Sequence, residues 1–260
     1  MTAPGSLPIS AVIITRDAER HLADVLAACS GCAERLVLDS GSTDGTARIV
    51  HAAGGRFERQ EFLGYGPQKR RAVELARHDW ILSLDADEIL DDAARAAIAG
   101  VDLSDPAACW SLRRRTFIGR REIHHGPWAG ERVLRLFNRR TACVKPLPVH
   151  EEVESARPPR PLAGSILHYG YVDLADVLRR PLRYAPLKAE VIRRKGQRVS
   201  AWSLPIRGGA AFLRSYVARS GWRDGVAGFV IALSRVLDST LPRALLLFED
   251  GGPAERPEGP

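Results

Sequence analysis

Short apolar runs alternate with amphipathic stretches along the first hundred positions. Ile9 to Thr15 (ISAVIIT) is β-branched and apolar and reads as a central strand. Leu22, Val25, Leu26 and Cys29 then recur at helical spacing. Arg35 to Asp39 predicts a second strand, and the polar loop Ser40 to Thr46 leads into a helix from about Ala47. Arg56 to Phe62 predicts a short strand, Pro67 stands near the start of another helix, and Trp80 to Leu84 is long enough for a buried strand. Strands and helices in this succession predict a parallel, doubly wound α/β sheet. Cys109 to Phe117 and Arg132 to Asn138 resume strand character, and the stretch from 118 to 131 has no clean period, as expected of a binding loop.

In such sheets ligands sit beyond the carboxyl ends of the strands. The polar residues of this chain fall there: Thr15 and Asp17, Asp39 to Asp44, and Asp85 to Glu88. Asp85, Asp87 and Glu88 place three carboxylates within four positions at the end of an apolar run. Such a cluster repels itself unless a cation lies opposite, so a divalent metal is the economical explanation. For Asp91 and Asp92 the competing reading is an acidic helix start. Asp39 is suited to accept hydrogen bonds from a base or ribose. For Thr43 and Asp44, helix capping competes with ligand contact.

Gln68, Lys69, Arg70 and Arg71 lie in the first turns of the helix after Pro67, where cations oppose the helix dipole. An anion in the crevice would compensate them, and a solvated basic face is the other possibility. His150 and Glu151, beside Pro148, read either as a metal or general-base pair or as a hydrogen-bonded loop pair.

Composition narrows the setting. The 260 residues carry a net charge of +7, which calls for an acidic partner: nucleic acid, phosphorylated sugar or anionic membrane. Neither a dinucleotide-binding glycine fingerprint nor a P-loop is present. A purely electrostatic RNA- or membrane-binding module would leave the Asp85 cluster unexplained, because carboxylates repel phosphates without a metal. A nucleotidyltransferase would want a glycine-rich basic loop after the first strand, and Arg16-Asp17-Ala18-Glu19 supplies none. Cys29 and Cys32 spell C-x-x-C but close a helical pattern and precede a strand, the reverse of a redox motif, so Cys29 reads as part of a helix face. Met1 to Ser10 shows no basic region followed by an apolar one, and a cytosolic location is the expectation.

Three groups of residues together resemble glycosyltransferase family 2: Ile13-Ile14-Thr15, Val37 to Thr46, and the D-x-D motif Asp85-Ala86-Asp87 followed by Glu88. Gly66 to Lys69, Trp128 to Phe137, Val149-His150-Glu151 and Leu167-His168-Tyr169 are similar to its lipopolysaccharide core β-1,4-glucosyltransferase subgroup. The resemblance implies a GT-A (Rossmann-like) fold with a mostly parallel sheet and an inverting, metal-dependent transfer of a hexose, glucose, from a UDP-sugar to a lipid-linked or lipopolysaccharide-type glycan. On matching positions it implies that Thr15, Asp17 and Asp39 line the uridine pocket. Lys69 and Ala86 belong to the same donor site, and Asp85 and Asp87 hold the diphosphate through Mg2+ or Mn2+. Glu131 is the first choice as general base, with Glu151, beside His150, the second. The chain departs from many relatives at Arg16-Asp17, where they carry Lys-Asn. Nucleic acid is not expected as a partner.

Residues 172 to 250 are basic and helical, with aromatic and aliphatic residues interspersed among arginines. Their longest weakly polar stretch, Gly225 to Leu233, falls short of the roughly 20 residues a membrane span needs. The expected arrangement is a catalytic domain over 1–171, a basic amphipathic extension over 172–250 and a disordered tail over 251–260. The extension is expected to lie on the anionic inner face of the cell membrane, and packing on a protein surface is the alternative.

Overall fold

A computed structural model of the chain describes residues 6–145 and 153–250. His150, Glu151 and the expected C-terminal tail lie outside the described residues. The chain forms two compact units. One comprises the residues up to Phe117 together with Gly130–Gly170, and the other Ile118–Ala129 together with the chain from Tyr171 onward.

The first unit is built on one long sheet. Its strands are β1 (Leu7–Thr15), β2 (Cys32–Asp39), β3 (Arg56–Arg59), β4 (Trp80–Asp85), β5 (Glu88–Leu90), β6 (Cys109–Ile118) and, after the two-residue β7 (Arg121–Glu122), β8 (Arg132–Asn138) and β11 (Arg160–Tyr171). The order is β3-β2-β1-β4-β8-β6-β11-β5. The half from β3 to β4 is parallel, as the alternation of strands and helices predicts. Beyond β4 the sheet becomes mixed: β8 runs antiparallel to β4 and β6, and β11 antiparallel to β5. β9 (Ala142–Val144) and β10 (Val153–Ser155) form a separate small antiparallel pair.

Both faces of the parallel half are covered, which is why its strands are nearly continuous apolar runs. Ile9, Ala11 and Ile13 of β1 pack with Leu22, Val25 and Leu26 of α1 (Leu22–Ala28) and with Ala94 and Ile98 of α4 (Asp92–Ala99). The alternate residues, Val12 of β1 and Leu36 and Leu38 of β2, pack with Ala72 and Val73 of α3 (Tyr65–Leu75). The remaining helix, α2 (Thr46–Ala52), follows β2. Asp91 is the N-cap of α4: its side chain accepts from Ala94 N at 2.8 Å and from Ser165 N of β11 at 3.0 Å. This tie explains Gly164, which sits at φ +79° so close to α4 that a Cβ would lie 2.0 Å from Ala94 N. Cys29 and Cys32 are buried free thiols, pushed up by burial, Cys32 to about 12, so neither supplies a thiolate.

The second unit is helical: α5 (Leu174–Arg194), α6 (Ser203–Leu213) extended by a π-helical turn over Arg214–Ala218, and α7 (Val226–Asp250). Asp173 caps α5 by accepting from Asp176 N at 2.7 Å. Ile118, Ile123, Val177, Ala227 and Ile231 form its core. Asp224 anchors the 118–129 segment, accepting from His125 N at 2.8 Å and lying 3.1 Å from His125 Nδ1. Among the described residues no helix is long and apolar enough to cross a membrane.

Candidate functional site

Register alone brings the predicted donor-side residues together. Thr15 pairs with Asp39 across β1 and β2, and Ile14 pairs with Asp85 across β1 and β4, so three strands end side by side. Asp39 is fully buried. Its oxygens accept from Thr15 Oγ1 at 3.1 Å, Gly41 N at 2.9 Å, Ser42 N at 2.8 Å and the Ser42 hydroxyl. An ionised carboxylate has about four accepting positions, and these donors use them. Asp39 therefore shapes the loop after β2 and reaches a nucleoside directly only by releasing one of those donors.

The loop after β1 is joined to the loop after β2 by reciprocal bonds. Asp17 adopts a left-handed backbone, φ +49°, unusual for a residue with a side chain. Its N–H donates to Ser42 Oγ at 2.8 Å and its Oδ1 accepts from Thr43 N at 2.8 Å. Glu19 N donates to Asp44 at 3.0 Å, and Glu19 accepts from Gly45 N at 2.9 Å. Gln68, buried in α3, ties the same loop down by donating to Ser40 Oγ at 3.1 Å.

Beside these loops runs a chain of alternating charges. Lys69 Nζ lies 2.7 Å from Asp85 Oδ1, and the other oxygen of Asp85 accepts from Arg135 Nη2 at 3.0 Å. The same Arg135 nitrogen donates to Glu88 Oε1 at 2.6 Å, and Glu88 Oε2 accepts from Asp85 N at 3.2 Å. Arg114 Nη1 stands 3.6 Å from Glu88, while its Nη2 and Nε donate to Glu131 Oε2 at 2.7 and 3.1 Å. Three carboxylates and three cations thus run from the end of β4 to the start of β8. Glu88 at the centre is 0% exposed and belongs to strand β5, not to the helix that follows. Burial alone would raise the Asp85 carboxyl, but the Lys69 ammonium and the Arg135 guanidinium outweigh it and hold the group well below the usual carboxylate range.

Asp87 lies in the turn between β4 and β5, one residue after Ala86, and is about a third exposed. The pairing of His168 with Glu88 across β11 and β5 brings His168 Nε2 to 3.8 Å from Asp87 Oδ2. Tyr169, next in the strand, stacks on His21 at 5.0 Å and on Phe117 at 4.8 Å, and its N–H donates to the Asp87 carbonyl at 2.9 Å. Among the described residues no three His, Cys, Asp or Glu side chains gather as a metal site. A carboxylate beside an imidazole suits Mn2+ or Mg2+ only if a ligand's own oxygens complete the shell. Asp87 and His168 form such a pair, whereas both oxygens of Asp85 already face protein cations.

Of the expected site residues, the structure brings Thr15, Asp17, Asp39, Lys69, Asp85, Ala86, Asp87 and Glu131 to this edge of the sheet. The residues joining them, Arg114, Arg135 and Gln68, and the partner of Asp87, His168, were not singled out individually from the residue pattern. A signal existed for Arg135: a lone cation inside the apolar run Leu134 to Phe137 requires a buried counter-charge.

Residues 10–160 match the model of the glycosyl transferase family 2. The chain is 32% identical over 256 residues to the lipopolysaccharide core biosynthesis glycosyltransferase LpsC of Rhizobium meliloti, covering 92% of this chain and 91% of that protein. It is 24% identical to an uncharacterized glycosyltransferase of Rickettsia conorii, over 85% of this chain and 83% of that one. Among solved structures it is similar to glucosyl-3-phosphoglycerate synthase of Mycobacterium tuberculosis, with a TM-score of 0.33 and 23% identity, over 42% of this chain and 43% of that one. Mannosyl-3-phosphoglycerate synthase of Rubrobacter xylanophilus gives a TM-score of 0.35 and 22% identity, over 42% and 41%. The chain therefore spans less than half the length of these two structures.

Proposed function

The chain belongs to glycosyltransferase family 2 and has its GT-A fold, and from that premise we propose that it transfers a hexose, glucose, from a UDP-sugar to a membrane-associated glycan of the lipopolysaccharide core, with inversion and with Mn2+ or Mg2+. The observation that carries this reading is the charge chain from Lys69 to Glu131 beside the loops held by Asp39 and Asp17. At its donor end, Lys69 and Arg135 offer positive charge for a diphosphate. Asp87 and His168 would hold the divalent ion, which when bound neutralises the charge growing on the leaving diphosphate. The acceptor is the inference drawn from LpsC's role in core biosynthesis.

Glu131 serves as the base. Arg114 occupies Oε2, and among the described residues Oε1 has no protein partner and is available to an acceptor hydroxyl. In a single displacement the hydroxyl oxygen bonds to the anomeric carbon as the bond from that carbon to the phosphate oxygen breaks. The hydroxyl proton passes to Glu131 and the electron pair leaves with the diphosphate. One displacement inverts the anomeric centre. The second unit would rest on the anionic inner face of the membrane, in keeping with the net charge of +7 and with Arg207 of α6, which makes no ion pair among the described residues.

The test is a thermal shift with UDP. Stabilisation should be large with Mn2+ and small with EDTA, and Asp87→Ala should lose the metal-dependent part and the transfer activity while keeping the apo melting temperature. Equal shifts with Mn2+ and EDTA would refute the metal-diphosphate site.

A further inference from the structure

The helices of the second unit leave an open groove of about 670 Å³ between α6 and α7. Its walls are apolar, with Leu204, Phe212 and Leu213 on α6 facing Val236, Leu237 and Leu241 on α7. Two adjacent glycines make the space. At Gly208 the helices touch, and a Cβ there would lie 3.2 Å from Val236 Cγ1 and 3.3 Å from Thr240 Cγ2. At Gly209, one position further round the helix and on the groove wall, a Cβ would meet nothing within 4 Å. Beside the groove, α6 exposes Trp202, Ile206, Leu213 and Val217, a stripe at helical spacing, and Trp202 is 83% exposed.

The charges around this unit are arranged unequally. Several cations of the unit are paired: Lys188 of α5 and Arg235 of α7 with Asp238 of α7, and Arg193 and Arg194 of α5 with Glu190. Near the groove, Arg207, Arg214 and Arg243 make no ion pair among the described residues. Arg207 adjoins Gly208, and Arg243 is one turn on from Thr240, so these two flank the point where the helices touch. Burial, and then the charge of Arg207, hold the Arg243 guanidinium below its ordinary value.

We propose that the α6–α7 groove is a slot for one acyl chain of an anionic membrane lipid, whose phosphate is met by Arg207 and Arg243. An open apolar groove of this size, with cations next to its lining residues Gly208 and Thr240, is complementary to a lipid's tail and head at once. The exposed stripe with Trp202 fits the surrounding interfacial region, where tryptophan is favoured. The slot rests on the membrane attachment proposed above and gives it a specific receptor, and it is independent of the donor site in the first unit.

The experiment uses the full chain and vesicles of phosphatidylcholine with and without phosphatidylglycerol. Wild type should bind the phosphatidylglycerol vesicles and take up monomeric short-chain phosphatidylglycerol saturably. Gly209→Leu fills the slot from open space and favours the helix over glycine. It should weaken both forms of binding by about tenfold or more, while its UDP-induced thermal shift stays that of wild type. R207Q/R243Q should weaken binding to phosphatidylglycerol vesicles by about thirtyfold and remove the preference over phosphatidylcholine. Wild-type binding by Gly209→Leu would overturn the slot and leave membrane attachment standing. No vesicle binding by wild type would overturn both, with the UDP shift still reporting separately on the donor site. A wild-type dimer that Gly209→Leu converts to monomer would assign the groove to a second copy and overturn the proposal.

Discussion

Glu88→Gln is the sharpest perturbation of the charge chain, because it removes one unit of charge with almost no change of shape. Glu88 is fully buried between two cations, with Arg135 at 2.6 Å and Arg114 at 3.6 Å, and it accepts from the backbone at Asp85. The six side chains from Lys69 to Glu131 balance three negative charges against three positive; the amide leaves two against three. It also presents an NH2 group either to a guanidinium or to the Asp85 N–H. Breaking a buried pair costs about 3–5 kcal/mol. Here Arg135 keeps Asp85 at 3.0 Å and Arg114 keeps Glu131 at 2.7 Å, which puts the loss at the lower end, about 3 kcal/mol. Urea denaturation followed by near-ultraviolet circular dichroism is a suitable assay, since Trp80 and Trp110 lie 5.5 Å apart in the core of the same unit. A double-mutant cycle with Arg114→Met should give a coupling of about 1 kcal/mol. A loss under about 1 kcal/mol for Glu88→Gln, or additivity in the cycle, would refute the account of Glu88 as the hub joining the two arginines.

Other consequences can be measured directly. Glu131→Gln should lower kcat by about 10²–10⁴-fold with UDP binding unchanged, and near-normal turnover would move the base role elsewhere. Stability should fall in two windows on acidification. His21 is held below its ordinary value of 6.5, by burial and then by Arg20, so the unfolded chain binds the proton more strongly and stability declines as pH drops through that region; His21→Gln should flatten this decline. The depressed Asp85 contributes stability that is present above its unfolded value of 3.8 and is lost as pH falls below it, a loss absent from Asp85→Asn. Gly164→Ala should destabilise the first unit by about 1–3 kcal/mol from its backbone conformation alone, and a neutral effect would contradict the close approach of β11 to α4.

Strands β1 and β4 were legible as nearly continuous apolar runs, β2 and β8 from the apolar residues Leu36–Leu38 and those around Arg135, and the carboxyl ends of β1, β2 and β4 carry the polar residues that mark a ligand crevice. The parallel direction of β1 to β4 followed from the helices between them. The mixed half was less legible. β5 has only three residues, and β11 opens with Arg160, Pro161 and Gly164 before its apolar part begins. The individual acids of the site were readable, but their partners were not: Arg135 is 47 residues from Glu88 and Arg114 is 17 from Glu131. Such pairings depend on which strands become neighbours, and no local pattern encodes that. The 118–129 segment illustrates the same limit. Its irregularity predicted a loop, but its membership of the helical unit follows from Asp224, about a hundred residues later.

The left-handed Asp17 and the bonds that join residues 17–19 to residues 42–46 have a kinetic consequence. A loop that must order around its ligand loses conformational entropy at each encounter, and its association is slowed by the rearrangement. Here that ordering has been done during folding, at the cost of one unfavourable backbone angle. Under the proposed function this rim meets the nucleoside as a finished mould, and discrimination among bases on that side would operate through shape at first contact, without waiting for closure.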